Sequence, residues 1–213
     1  RNVTGVQTCA LPIFLPGSRP NELHRIAPVI AEALPRIRAK VPGVQFVAAA
    51  APNLDAAAVA RVLRGPSGGT DTIGFTTIQG QTDNVLAASD VVITASGTAT
   101  VQAALHERPM VVVYALSPIT YRLGLPFVKV DMYAMANLVA GRRVVPELIQ
   151  ADFTAPRVAD ETIALLTDRA LHDRTRDALR DVRARLGSPG ATGRAAAAVL
   201  DVAARSSHGL TPA

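Results

Sequence analysis

The chain has 213 residues, 49% of them apolar and 18% charged, with a formal net charge of +5 and one cysteine, Cys9. That composition supplies a sizeable core and argues against disorder over most of the length. It also excludes an intramolecular disulfide, and the apolar runs, such as Met110–Leu116, are too short to span a bilayer. The basic excess does not read as a nucleic-acid footprint. Lys40 and Lys129 are the only lysines, the arginines are spread among acids, and no basic aromatic stripe accompanies them. The N-terminus carries no basic region followed by an apolar core, so no secretory signal is read there. His24, His106, His172 and His208 are scattered without a metal-ligand spacing, and no metal site is expected.

Arg1–Ala10 has no periodicity and is read as a leader foreign to the fold. From residue 11 strands and helices alternate. A strand over Pro12–Leu15 enters a turn at Pro16–Arg19. A helix follows over about Asn21–Lys40, with Leu23, Ile26, Ile30, Leu34 and Ile37 at three- and four-residue steps. Then come a strand at Val44–Ala50, a helix at Leu54–Leu63, a Gly/Pro/Ser-rich loop at Arg64–Asp71 and a short strand at Thr72–Phe75. The next elements are a helix at Gln81–Ala88, a strand at Val91–Ala95, a helix at Ala99–His106 and a strand at Pro109–Tyr114. Pro118–Leu125 reads as a helix and Val128–Asp131 as a short extended piece. After Asn137 the strand signal stops. Pro146–Gln150, Ala155–Leu166, Asp168–Leu186 and Ala191–Arg205 all read as helices, before a frayed tail at 206–213. The alternating Asp and Arg of Asp168–Arg185 read as a solvated helix face with local ion pairs.

Repeated βα units with continuous apolar strands predict an α/β fold. A Rossmann-like parallel sheet with helices on both faces spans residues 11–150, and a C-terminal helical segment follows over 151–205.

In such a sheet, ligands bind beyond the carboxyl ends of the strands. Two of those ends carry Gly-Ser/Thr turns that lead into helices: Pro16-Gly17-Ser18-Arg19 and Ala95-Ser96-Gly97-Thr98-Ala99-Thr100. Each brings backbone N–H groups, a permissive glycine and hydroxyls to a helix start, which is the chemistry of an anion site. Arg19 adds a guanidinium fork suited to phosphate oxygens. Neither turn matches GxxxxGK[ST] or GxGxxG, which argues against a P-loop NTPase and a standard dinucleotide enzyme. Either turn alone is more often just an N-cap than a phosphate site. Gln102 lies one turn into the second helix, away from the capping-box position, and faces either a ligand or solvent. Asn137-Leu138-Val139-Ala140-Gly141-Arg142-Arg143 gathers an amide, a glycine and two guanidinium groups in one loop-to-helix segment. Its structural reading is an Asn cap with a Gly helix stop.

Taken together, LPGSRPNELHRIAPVI, ASGTATVQAAL, PMVVVYALSPITY and ANLVAGRRVVPELIQ resemble lipid-A-disaccharide synthases in order and spacing, from about Leu11 to about Ala204. The resemblance implies the second half of a GT-B glycosyltransferase, in which two Rossmann-like domains face each other. It implies an inverting, metal-independent transfer of 2,3-diacylglucosamine from UDP to the 6-hydroxyl of 2,3-diacylglucosamine 1-phosphate at the cytoplasmic face of the inner membrane, without a cofactor. By the same resemblance, Gly17, Ser18 and Arg19 belong to a loop at the domain cleft. Ser96, Gly97, Thr98 and Ala99 approach the diphosphate, Gln102 stands at the position that meets the ribose hydroxyls in related transferases, and Asn137, Gly141 and Arg142 form a second signature of the donor site. The base belongs to the N-terminal half of such enzymes, so this half alone is expected to bind UDP weakly and not to turn over.

Two positions depart from the family pattern. Gln102 stands where an acid is usual, and Ala136 where a proline commonly precedes the asparagine. Ser117–Lys129 is read either as a membrane or acyl-chain surface or as a helix on the sheet edge, and the C-terminal helices as candidates for a homodimer contact. The rival readings are a UDP-N-acetylglucosamine epimerase, the peptidoglycan N-acetylglucosaminyltransferase, and a non-catalytic nucleotide-binding module.

Overall fold

The computed structural model describes residues 10–15, 17, 19–64, 75–117, 121–122, 131–188 and 190–207. Its frame is a six-stranded sheet built from β1 (Pro12–Leu15), β2 (Phe46–Ala50), β3 (Phe75–Gln79), β4 (Val91–Ala95), β5 (Met110–Tyr114) and β6 (Glu147–Ile149). The spatial order is β3-β2-β1-β4-β5-β6, and every neighbouring pair is parallel. Both faces are covered, which is why the inner strands β1, β2, β4 and β5 are apolar without alternation. All five residues of β4 are buried. Ile93 packs with one side of the core and Val92 with the other.

Helix α1 (Pro20–Lys40) starts with proline at its first turn, carries Glu22 there, and ends with Arg38 and Lys40, in accord with the helix dipole. Leu23, Ile26, Ile30, Leu34 and Ile37 are all buried, so the apolar stripe read from the sequence is the face that meets the sheet. Helices α2 (Ala56–Arg64), α3 (Thr82–Ala88), α4 (Thr98–Leu105) and α5 (Met135–Ala140) complete the βα layers.

Three sequence expectations are corrected. Pro146–Gln150 is not a helix: Glu147–Ile149 is strand β6, paired with β5 in the register Val112↔Glu147, Val113↔Leu148, Tyr114↔Ile149. Its Glu, Leu and Gln are good helix formers, but the open edge of β5 offers the backbone a ladder, and that tertiary pairing overrides propensity. The strand expected at Thr72–Phe75 lies later, at Phe75–Gln79, and residues 72–74 lie outside the described residues. Asn137–Arg143 is not a loop leading into a helix. Asn137 lies inside α5, and Gly141 is its C-cap. Of the elements expected at Pro118–Leu125 and Val128–Asp131, only Tyr121, Arg122 and Asp131 are among the described residues, the first two helical. Of residues 1–10, only Ala10 is described; it is buried, and its carbonyl accepts the Gln45 N–H. In the loop expected at Arg64–Asp71, Arg64 closes α2 and the rest lies outside the described residues.

Helix α6 (Ala155–Thr167) packs on α1 and on β4 and β5, and α7 (Arg169–Arg185) packs on α4 and α5. In α8 (Ala191–Ser207), every residue from Ala191 to Arg205 is exposed, Val199, Leu200 and Val202 included.

The charged face of α7 does more than the local pairing expected of it. Asp177 does pair with Arg180 at 2.8 Å, and the Asp168 carboxylate caps the helix by accepting the Leu171 N–H. Yet Arg176, Arg180 and Arg183 also converge on Glu107, at 3.9, 3.5 and 3.0 Å. Arg185 donates to the carbonyls of Val139 and Ala140 at the end of α5. Glu107 thus fastens α7 to the turn that ends α4. The arginines are about half exposed, so the ion pairs are screened. Glu107→Gln is therefore expected to cost only about 1 kcal/mol and to lower the melting temperature by about 3 °C, measured by calorimetry. A melting point unchanged in low salt would refute the fastening role.

Candidate functional site: a pocket at the switch point

Strands β1 and β4 are neighbours in space, but the chain leaves β1 toward β2 and leaves β4 toward β5. The order therefore reverses between them, and a crevice opens beyond their carboxyl ends. An open pocket of about 390 Å3 occupies that crevice, a volume suited to a small ligand. Leu15 and Gly17 border it from β1, Ala49 and Ala51 from β2, and Ala95 to Ala99 from β4 and the start of α4; Arg19, Glu22, Thr82, Gln102 and Met135 close the rim. The two turns singled out in the sequence, far apart along the chain, thus meet at one opening.

The second turn leaves the first N–H groups of α4 at the pocket without a partner among the described residues. Gly97 is the N-cap of α4, with φ 147° and ψ −158°, and no side chain caps the helix. The N–H groups of Gly97, Thr98 and Ala99 donate to no described residue, whereas the Thr100 N–H and hydroxyl both bond back to the Gly97 carbonyl. A helix start with free N–H groups and the positive end of its dipole facing a polar opening favours a phosphate. Gln102 stands exposed at the same rim, as its place one turn into the helix suggested.

The first turn contributes a charge pair. Arg19 donates to the Glu22 carboxylate at 2.9 Å, and the Arg19 side chain is 76% exposed against 16% for Glu22. The Arg19 side chain is thus largely exposed at the rim with one guanidinium nitrogen held by Glu22, while the carboxylate is tucked against the turn. A Cβ on Gly17 would come within 2.5 Å of a Glu22 carboxylate oxygen, so glycine is what lets that carboxylate close over the turn. Ser18 lies outside the described residues.

Ser96 borders the pocket, and its hydroxyl donates to the Tyr133 carbonyl at 3.0 Å. Asn137, Gly141 and Arg142 do not border the pocket. Asn137 is fully buried and its amide is used within the protein. Its oxygen accepts the N–H groups of Val144 (2.8 Å) and Val145 (3.0 Å), and its nitrogen donates to the Val145 carbonyl (3.0 Å) and the Glu147 carboxylate (2.8 Å). Gly141 and Arg142 are exposed. Sequence reasoning missed Glu22, Thr82, Met135 and Glu147. Glu22 alone left a signal, an acid in the first turn of a helix three residues after an arginine. Among the described residues, no three His, Cys, Asp or Glu side chains stand together as metal ligands.

A family model described as lipid-A-disaccharide synthetase matches residues 6–200. The chain belongs to the lipid-A-disaccharide synthase family. It is 45% identical over 189 residues to the lipid-A-disaccharide synthase of Anaeromyxobacter dehalogenans (strain 2CP-C), and 41% identical over 189 residues to that of Myxococcus xanthus (strain DK1622). Each alignment covers 89% of this chain and 48% of the relative, so the chain spans about half the length of these curated relatives. Among solved structures, E. coli ADP-heptose lps heptosyltransferase II superposes with a TM-score of 0.53 at 18% identity, covering 78% of this chain and 49% of that one. The Rossmann-like parallel sheet is thus one unit of a GT-B glycosyltransferase fold, followed by helices, as the family resemblance implied.

Proposed function

We propose that this chain supplies the donor-binding half of a lipid-A-disaccharide synthase and that the pocket at the β1/β4 switch point holds UDP. The observation that carries the reading is the meeting of two elements: the free N–H groups of Gly97, Thr98 and Ala99, and Arg19 on the opposite rim. The reaction is an inverting transfer. The 6-hydroxyl oxygen of 2,3-diacylglucosamine 1-phosphate attacks the anomeric carbon of UDP-2,3-diacylglucosamine from the side opposite the nucleotide. The bond from that carbon to the diphosphate breaks, the hydroxyl proton goes to a base, and UDP leaves. The departing diphosphate gains charge where the α4 N–H groups and the Arg19 guanidinium point, so both bind it more tightly in the transition state than in the ground state. This places the charge stabilisation on the protein, without a metal or other cofactor. No pocket residue is assigned the base, which we place in the other half of such an enzyme.

Gly17, Ser18, Thr98 and Gln102 complete the donor contacts in this reading. Gln102 offers the ribose hydroxyls a neutral acceptor in place of the acid usual in the family. Of the other residues expected at the donor site, Ser96 borders the pocket and Asn137 holds Glu147 behind it, while Gly141 and Arg142 are not among the lining residues. The lipid-linked acceptor implies peripheral association with the cytoplasmic face of the inner membrane; no helix among the described residues is long and apolar enough to cross a membrane. The exposed α8 is the surface we assign to a homodimer contact.

UDP titrated into the chain by calorimetry tests the reading. Saturable binding is expected, and Arg19→Ala should weaken it by about tenfold, the worth of one charge-assisted hydrogen bond. Binding that is indifferent to Arg19 would remove the guanidinium from the site.

A further inference from the structure

Glu147 belongs to no part of the pocket, yet it is tied to it through a single peptide group. Its carboxylate accepts three donors: the Tyr133 N–H, shared between both oxygens at 3.1 Å, the Ala134 N–H at 2.7 Å, and the Asn137 side-chain amide at 2.8 Å. The peptide that joins Tyr133 to Ala134 therefore donates its N–H to Glu147 and accepts the Ser96 hydroxyl on its carbonyl, at 3.0 Å. Because that unit is planar, fixing one end aims the other. A charged acceptor on the N–H side also polarises the group and makes its carbonyl a better acceptor.

Ser96 is held at its other side by its own N–H, bonded to the Val113 carbonyl of β5 at 3.0 Å. The next residues are Gly97 and Thr98. Two residues past Tyr133, Met135 closes the rim. Behind Glu147, Asn137 permits one amide orientation only, since its oxygen faces two N–H donors and its nitrogen faces a carbonyl and a carboxylate.

We infer that Glu147 is a positioning residue of the pocket: through the Tyr133–Ala134 peptide it fixes the Ser96 hydroxyl, and with it the turn whose N–H groups face the opening. The ligand side of this inference rests on the UDP reading above; the coupling itself does not. Ser96 is on this view a tether of the turn, its hydroxyl proton given to the Tyr133 carbonyl.

The test is a ¹⁵N-resolved comparison of the whole chain with its Glu147→Gln variant, first without ligand and then with UDP. Glu147→Gln keeps the volume and one oxygen, so Ala134 retains an acceptor while the charge is lost. The amide resonances of Gly97 and Thr98 are expected to shift, and the UDP dissociation constant to rise about fivefold to tenfold. Adding Ser96→Ala to Glu147→Gln should weaken UDP no further than the worse single change, because both cut one chain of contacts. A purely structural glutamate would lower the melting point, leave Gly97 and Thr98 unmoved and leave UDP affinity at 25 °C unchanged; that result overturns the inference. Should Glu147→Gln fail to fold, Ser96→Ala cuts the same chain from the other end. It must then shift the amides of Ala134 and Met135, and their silence would overturn the inference equally. If the wild-type chain binds no UDP, the functional reading falls, and the resonances of Gly97 and Thr98 still decide the role of Glu147.

Discussion

Asn137→Ala is expected to destabilise the fold by about 3–5 kcal/mol, one of the two largest effects of a single substitution predicted for this chain. The side chain is fully buried and every hydrogen-bonding position on it is taken. Alanine leaves two backbone N–H groups, one carbonyl and part of a carboxylate without their partner. Each buried polar group so orphaned costs about 1–3 kcal/mol, reduced where water enters the space the amide vacates. A domain holds only about 5–15 kcal/mol in total, so the variant should be marginal. Urea unfolding would show it as a lower midpoint with an unchanged slope. Asn137→Asp is a sharper probe. It sets a second carboxylate against Glu147, where Asn137 now donates at 2.8 Å, and turns an attraction into a repulsion at neutral pH. That variant should be at least as unstable as Asn137→Ala at pH 7 and regain stability on acidification, as the paired acids come to share a proton. A loss below about 1 kcal/mol for either variant at pH 7 would mean that solvent replaces the amide and that Asn137 is no keystone.

The same residue marks where the sequence could be read and where it could not. Asn137 stands out in the chain as a polar residue in an unusual setting, but an asparagine turned toward a ligand and one turned into the core look alike in one dimension. The difference lies in Val144, Val145 and Glu147, whose backbone and carboxylate reach it only after β6 has paired with β5. That pairing was itself hidden, because Pro146–Gln150 satisfies local helix rules and its strand character comes from the open edge beside it. Missing the strand meant missing Glu147.

By contrast, α1 could be read along its whole length. Its periodic apolar residues are one continuous face, and periodicity is a local signal that tertiary contact reinforces rather than reverses. The turns at Gly17 and Gly97 were legible for a related reason: a glycine at a strand end leading into a helix reports a backbone demand. That both turns open on the same pocket is a property of the strand order, in which β1 and β4 are adjacent although 75 residues lie between Leu15, the end of β1, and Val91, the start of β4.

Gly97→Ala is the second large effect, and it should fall on binding more than on packing. A Cβ at Gly97 would meet nothing within 4 Å, so no steric clash is available to explain a loss. The cost comes from the backbone: φ 147° with ψ −158° is a region that residues with a side chain essentially do not enter, at a penalty of about 1–3 kcal/mol. The chain can pay that penalty and keep the turn, or it can rotate away from it. Rotation is the cheaper path, because the turn has open space on the pocket side and its N–H groups at Gly97, Thr98 and Ala99 hold no described partner. Once turned, those N–H groups leave the opening, and the proposed UDP site would lose several donors at once. UDP affinity should therefore fall by at least about tenfold, while global stability falls by less than about 2 kcal/mol. D-alanine introduced at the same position by semisynthesis separates backbone from bulk. For a D-residue these angles mirror the ordinary extended conformation of an L-residue, so it adds the same methyl group without the strain. Affinity restored by D-alanine and lost with L-alanine would assign the effect to the direction of the N–H groups; equal losses with both would assign it to the added methyl group crowding the ligand.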